Sequence, residues 1–339
     1  MEPVARPPRR DAPAGLIAGA RLTRIDGPAD ALALVAPELA EAEDILHELV
    51  ASDVAEVPAI ARYLVDAGGK RLRPALTALA RVALGIEEPM VRLMCTGELL
   101  HLGSLLHDDV VDEGDLRRGK PTAHRLYGAP VAVLTGDFCL ARSILLAAEE
   151  GGFRAVTELG RTVTRMAEGE VLQLKRAHDL ATDVDGYLDV VDRKSAALIA
   201  WCAAAPAWAT GDDEAAEALA VFGRGVGRAF QLTDDVLDFQ GGTGKRGGAD
   251  LRERKVTLPL IFAMERDRTL RNRLEQGAPA EEELPLLVER VRATGALDRT
   301  LAVARGYVSE ALGALDALPS GVGRDALAVL GRYLVERSL

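Results

Sequence analysis

Only three cysteines occur in 339 residues, at Cys95, Cys139 and Cys202, far apart and each in an apolar context. Without a CxxC pair there is neither a disulfide framework nor a thiolate metal site of that kind. The thiols read as buried and free, in a reducing compartment. The chain opens on MEPVARPPRRDAPAGL, which lacks an apolar core long enough for a signal peptide. No window reaches the roughly 18 unbroken apolar residues of a membrane span. The expectation is a soluble, cytoplasmic protein without stable membrane insertion. Excess positive charge is missing too, since the formal net charge is −11. That balance argues against a nucleic-acid partner, and any anion site must be a local cluster of basic side chains. Strand patterns are scarce, the best being PVAVLTG at 130–136. No repeat of solenoid period is present.

What the chain does have is apolar mass and helical spacing. Hydrophobic residues make up 48%, enough to bury a sizeable core. Residues 1–28, rich in Pro, Arg, Ala and Gly, read as a flexible N-terminal tail. Residues 29–339 carry helical patterning without a linker, so one large all-α domain is expected. Val91–Val111 is apolar nearly all round, which predicts a helix buried on most sides. The stretch 195–211 is similar, and its Pro206 predicts a kink or an early stop. Leu219, Phe222, Val226, Phe230, Thr233 and Leu237 recur on one face of another helix, with a glycine stop after Gln240.

Two acidic clusters stand out. LLHDDVVDEGDLRRGKPT (105–122) places Asp108 and Asp112 four apart, with Asp109 beside them. QLTDDVLDFQGGTGKRGGAD (231–250) repeats the arrangement with Asp234, Asp235 and Asp238, and Gln231 lies one turn earlier. Carboxylates four apart repel one another, and the C-terminal end of a helix disfavours anions. Cations relieve both penalties, and clustered oxygen ligands suit Mg²⁺, which commonly bridges to substrate phosphates. One such motif is more often a solvated surface turn or the N-cap of a following helix; two, each closing an apolar helix and each followed by basic residues, point to a site. The basic residues are Arg117, Arg118 and Lys120, then Lys245, Arg246, Arg252, Arg254 and Lys255, with Lys70, Arg71 and Arg73 earlier and Lys194 between. Together with Mg²⁺ they would clamp two diphosphates. Arg62, Arg81 and Arg161 read as solvated surface charges. His101, seven residues before Asp108, faces the same site, and His107 adjoins the aspartates as an orienting group. His47, His124 and His178 have no role in this reading.

GGKRLRP, LLHDDVVDEGDLRRGKPT, GEVLQL (169–174), RKSAALIA (193–200) and the run 230–260 resemble, in order, the motifs of the trans-isoprenyl diphosphate synthases, the polyprenyl synthetase family. The resemblance spans roughly residues 30–339. It implies an all-α isoprenoid-synthase fold, a large single-domain helical bundle around a central cavity, in a homodimer. It implies a Mg²⁺-dependent prenyltransferase that condenses isopentenyl diphosphate head-to-tail with an allylic diphosphate. The allylic diphosphate ionises, the isopentenyl double bond attacks, and a proton then leaves, the released diphosphate being the base. Asp108, Asp109 and Asp112 on one wall, and Asp234, Asp235 and Asp238 on the other, would hold three Mg²⁺ ions. Arg117, Lys194, Ser195, Gln231, Lys245 and Lys255 would contact the allylic diphosphate; Lys70, Arg73, His101 and Arg118 would hold isopentenyl diphosphate. The catalytic set is Asp108, Asp109, Asp112, Arg117, Lys194, Asp234 and Asp235. Ser195 replaces the family's usual threonine and keeps its hydroxyl. The loop before Lys245 is shorter than usual, and Arg254 stands where the family has glycine. Bulky aromatics at the fourth and fifth positions before the first motif shorten the family's products. Here those positions are Ser104 and Gly103, which implies a long-chain product; close helix packing is the other use of such small residues. Alternatives are a short-chain farnesyl or geranylgeranyl synthase, a class I terpene cyclase and a partner-dependent synthase subunit.

Overall fold

The computed structural model describes residues 24–69, 71–241 and 247–336. Residues 1–23 of the expected tail therefore lie outside the described residues, as do Lys70, Lys245 and Arg246. The first helix starts earlier than the expected boundary, at Pro28. Proline suits a first turn because its missing N–H has no partner there, and Asp30 accepts the amides of Asp26 (3.0 Å) and Gly27 (3.1 Å).

The order is α1 (Pro28–Ala33), α2 (Ala36–Leu49), α3 (Glu56–Val65), α4 (Leu72–Ala83) and α5 (Val91–Val111), then the strands β1 (Leu116–Arg117) and β2 (Lys120–Pro121). Next come α6 (Ala123–Tyr127), α7 (Ala129–Arg176), α8 (Val184–Val191), a π-helical turn (Asp192–Ala196), α9 (Ala197–Thr210) and α10 (Asp213–Gln240). The chain finishes with α11 (Ala249–Arg252), α12 (Leu258–Arg266), α13 (Arg268–Glu275), α14 (Leu284–Ala293), α15 (Ala296–Ala314) and α16 (Val322–Glu336). The all-α expectation holds. Among the described residues the two-residue strands form the only sheet, an antiparallel ribbon pairing Leu116 with Pro121 and Arg117 with Lys120. Its tip, Arg118 (φ 52°) and Gly119 (φ 78°), has the two left-handed residues of a tight hairpin.

The expected strand at 130–136 is instead the start of α7. Pro130 sits in the first turn, and Ala132, Thr135, Gly136 and Cys139 are buried at helical spacing on the face that packs against α5. Packing at a period near 3.6 overrides the β-branched composition. α7 breaks at Gly152 (φ 71°, ψ −170°), giving two arms, 129–151 and 153–176. It is the one described helix that is long and apolar enough to cross a membrane by length and composition.

α5 is buried on most sides, between α4, α2 and α7. Its buried Glu98 accepts a hydrogen bond from Arg71 at 2.7 Å. Arg81, expected at the surface, is buried on α4 and pairs with Glu38 at 2.6 Å. α10 buries Leu219, Phe222, Val226 and Thr233, half-buries Phe230 and Leu237, and stops at Gly241 (φ 65°), as its spacing predicts. α9 continues through Pro206 to Thr210, so the early stop does not occur. Proline leaves the carbonyl four residues back, that of Cys202, without its helical donor. The buried Thr77 hydroxyl on α4 supplies one, at 2.8 Å. All three cysteines are buried and free, as expected, and burial pushes each thiol up to about 12.

Candidate active site

A cavity of about 850 Å³ opens between α3–α5, the hairpin, both arms of α7, the π-turn with α9, and α10. Among the residues singled out from the sequence, those that line it include Arg73, His101, Gly103, Ser104, Asp108, Arg117, Arg118, Lys194, Ser195, Gln231 and Asp234. Residues up to 161 positions apart thus share one space. Much of the remaining wall is apolar, including Leu100, Leu140, Val163, Met166 and Leu198.

Asp108 is half-buried in the last turn of α5. Burial pushes its carboxyl up to about 6; Lys194 opposes that, while Glu170 and Asp112 add to it. Lys194 Nζ lies 3.8 Å from Asp108 and 2.5 Å from Glu170. Burial and the two neighbouring acids raise the Asp108 carboxyl, so positive charge brought to this wall would favour the carboxylate form. Asp109 turns the other way and is buried: its Oδ1 accepts Arg117 Nε at 2.8 Å, with Nη2 at 2.7 Å. Asp112 is exposed at the end of α5.

On the opposite wall, Asp234 lines the cavity and Asp235 is buried. Asp235 accepts Gln231 Nε2 at 2.9 Å and the Tyr187 hydroxyl of α8. Burial raises its carboxyl above the ordinary range, although Lys255, Tyr187 and Gln231 pull the other way. Gln231 Oε1 accepts Ser195 Oγ at 3.1 Å, so one hydrogen-bond chain joins Ser195, Gln231, Asp235 and Tyr187. Asp238 accepts the amides of Ala249 (3.1 Å) and Asp250 (3.0 Å), capping α11. Lys255 does not line the cavity. Burial would lower its ammonium, yet Asp250, Asp235, Glu253 and Asp112 together hold it above the ordinary lysine range. Asp109, Asp235 and Asp238, expected as metal ligands, are therefore engaged by protein donors. Successive helical residues point about 100° apart, so the neighbouring aspartates of each motif leave the helix in different directions. Among the described residues no three carboxylate, imidazole or thiol ligands gather at one point; each wall presents its own.

Arg73 reaches only to 4.0 Å from Glu98, and its buried Nε has no hydrogen-bond partner. Arg118 donates to the carbonyls of Ala67 (3.1 Å) and Gly68, tying the hairpin tip to the loop before α4. Burial and the cations Arg73, Arg117, Arg118 and Arg71 hold His101 well below the usual imidazole range, hence neutral. His107 is turned to α7, with Nε2 3.1 Å from the Val133 carbonyl and 3.2 Å from Asp137, and orients no aspartate of the motif.

The small pair divides. A Cβ on Gly103 would stand 2.9 Å from the Gly136 carbonyl oxygen and 3.3 Å from Cys139 Cβ, so this glycine serves the α5–α7 crossing. Ser104 is half-buried on the cavity wall, its Oγ donating to the His101 carbonyl at 2.9 Å. Arg254 adopts φ 53°, the left-handed conformation that glycine takes without strain. Sequence reasoning passed over Glu170, Tyr187 and Asp250. Glu170 and Asp250 lay inside motifs already quoted, whereas nothing in the sequence distinguishes Tyr187.

A helical cavity with an acidic residue on each of two facing walls, ringed by cations and lined by aliphatic side chains, defines a class of enzyme that handles apolar diphosphates. The polyprenyl synthetase family model matches residues 54–291. The chain is 37% identical over 316 residues to the octaprenyl diphosphate synthase of Escherichia coli, covering 90% of this chain and 97% of that one. It is 36% identical over 306 residues to heptaprenyl diphosphate synthase component 2 of Geobacillus stearothermophilus, covering 88% and 96%. A polyprenyl synthase from Caulobacter crescentus, solved with calcium and isoprenyl diphosphate, superposes with a TM-score of 0.87 at 38% identity, covering 93% and 100%. The chain belongs to the polyprenyl synthetase family and is by class a prenyltransferase.

Proposed function

We propose that the chain is a trans-polyprenyl diphosphate synthase, adding isopentenyl diphosphate head-to-tail to an allylic diphosphate and releasing a long-chain product. The observation that carries this reading is the single cavity in which Asp108, Asp234, Lys194 and Arg73 share walls with Leu100, Leu140 and Met166. Relatives named for octaprenyl and heptaprenyl products support the long chain, and so does the small Ser104.

Asp108, Asp112 and Asp234 would hold Mg²⁺, with Asp109 fixing Arg117, and Asp235 fixing Gln231. The raised carboxyl of Asp108 and the hard oxygen donors of both walls fit that ion. Bound there, Mg²⁺ would supply positive charge against the diphosphate that Arg117 and Lys194 hold. Arg117, Lys194, Ser195 and Gln231 take the allylic diphosphate, and Lys245 and Lys255 keep the role their motif implies. Arg73, His101 and Arg118, with Lys70, take isopentenyl diphosphate. The unpartnered Arg73 Nε suits an anion, and a neutral His101 adds a hydrogen-bonding group without a further full charge. The aliphatic walls keep water from the allylic cation. The protein works in the cytoplasm as a homodimer joined through the outer face of α7, where Leu134 and Leu145 are exposed.

Incubation of the purified chain with Mg²⁺, isopentenyl diphosphate and separate allylic primers, followed by product sizing, tests the reading. Diphosphates longer than geranylgeranyl support it; products stopping at farnesyl or geranylgeranyl make it a short-chain enzyme; a cyclic hydrocarbon from the allylic substrate alone makes it a cyclase. A second reading, a partner-dependent subunit, is favoured by the relative named as component 2 of its enzyme. Turnover only on adding another protein from the same source would select it.

A further inference from the structure

The π-turn between α8 and α9 has a shape that ordinary helix geometry does not supply. The amide of Ala197 donates to the carbonyl of Asp192, five residues back, where an α-helix would close on four. The turn brings Lys194 and Ser195 to the cavity wall, where Lys194 meets Glu170 and Asp108, and Ser195 meets Gln231. Single π-turns are rare and poorly supported by their own hydrogen bonds, so their neighbours must hold them. Here they are held from two sides. On α7, a Cβ at Gly169 would stand 2.7 Å from the Lys194 amide nitrogen and 2.8 Å from Arg193 Cβ, so only glycine lets the helix seat against the turn. On α10, a Cβ at Gly227 would stand 2.7 Å from Ala196 Cα. Also from α10, Arg224 Nη1 donates to Asp192 Oδ2 at 2.7 Å, and Arg228 reaches Oδ1 with Nε at 2.9 Å and Nη2 at 2.7 Å. Neither Gly169 nor Asp192 lines the cavity.

We propose that Gly169 and Asp192 are positioning residues: they clamp the π-turn between α7 and α10 and thereby aim Lys194 and Ser195 at the allylic diphosphate. The assignment rests on the functional reading above, in which this wall takes that substrate. It gives a role to the first residue of GEVLQL, whose glycine stands outside the cavity lining. Arg73, His101 and Arg118 stand on elements the clamp does not include, so its loss should be felt by one substrate and not the other.

The test is steady-state kinetics with each substrate varied in turn, on Gly169→Ala, Asp192→Asn and Gly160→Ala. Gly160 lies on the same arm of α7, and a Cβ there meets nothing within 4 Å. Loss of a charge-assisted contact to one phosphate oxygen corresponds to about tenfold. Gly169→Ala should raise the allylic KM by about that factor and Asp192→Asn by about threefold, since its ion pairs are partly solvated. The isopentenyl KM should stay within about twofold in both, the spread of an unperturbed site. Gly160→Ala should match the wild type in both constants. The proposal is overturned if the two KM values move together, or if Gly169→Ala behaves like Gly160→Ala. Should Gly169→Ala fail to fold, Asp192→Asn alone decides, and the absence of a split sinks it. Failure of the wild type to turn over would overturn the functional reading instead. Calorimetric binding of inorganic diphosphate would then still decide the clamp, because equal affinity of wild type and Asp192→Asn rejects it.

Discussion

In each acidic motif the first aspartate faces the cavity while the second is taken up by a neighbour: Asp109 by Arg117, Asp235 by Gln231 and Tyr187. The asymmetry follows from the turn of the helix, which sends adjacent side chains in different directions. Gly103 and Ser104 obey the same rule, and their neighbours make its consequence measurable. Phenylalanine at Ser104 would project along the cavity wall, so Ser104→Phe should fold normally and shift products shorter by one or more isoprene units. Phenylalanine at Gly103 must first displace the backbone oxygen of Gly136, and overpacking of that kind costs about 1–3 kcal/mol. Gly103→Phe should therefore show a lowered thermal midpoint. Product sizing beside thermal melts checks the pair. Unchanged products from Ser104→Phe, or a Gly103→Phe protein as stable as the wild type, would refute the division.

Among the elements, α9 shows how a helix tolerates a proline at its centre. The carbonyl of Cys202 loses its donor to Pro206 and regains one from Thr77 on α4, so the two substitutions should be coupled. Thr77→Val strands a buried carbonyl and should cost about 2 kcal/mol. In a Pro206→Ala background the restored amide can serve that carbonyl, and the same substitution should cost about 1 kcal/mol less. Denaturant unfolding of the four proteins closes the cycle; equal costs in both backgrounds would show that Thr77 is not the compensating group. The element scale also separates what was legible in the sequence from what was not. α5 and α10 were legible because their apolar spacing extends over five or more turns and each ends at a marked feature, an acidic cluster or Gly241. The segment 130–136 misled because a short apolar run without its flanks fits either period. Packing of Ala132, Gly136 and Cys139 on α5 settles it. Lys194 was legible through its motif, but its π-turn was not, because that shape depends on glycines 25 and 33 residues away that give no local signal. Spacing alone makes Asp109, Asp235 and Asp238 candidate ligands; their contacts with Arg117, with Gln231 and Tyr187, and with the amides of α11 are not legible in it.

For the molecule as a whole, the informative imbalance lies on α7. Its inner face packs on α5, yet only 39% of its most apolar 18-residue window is buried, and Leu134 (65%) and Leu145 (51%) face outward. Inserting the helix in a membrane would mean giving up its contacts with α5, α9 and the π-turn, and with them the aim of Lys194. A second copy of the chain, as proposed above, would cover the same stripe without that loss. Leu134, Ala141 and Leu145 follow one another at steps of seven and four, so a two-fold axis across the arm can set each stripe on its twin. The formal charge of −11 per chain makes such a contact self-repelling unless it is apolar. Replacing both Leu134 and Leu145 with glutamate would place four carboxylates in that contact. The wild type should scatter light as twice 36.0 kDa, and the double variant as 36.0 kDa. Its far-ultraviolet helix signal should be unchanged, because both positions are already exposed within the protomer. A wild type that runs as a monomer but sediments with lipid vesicles would instead assign the stripe to a membrane surface.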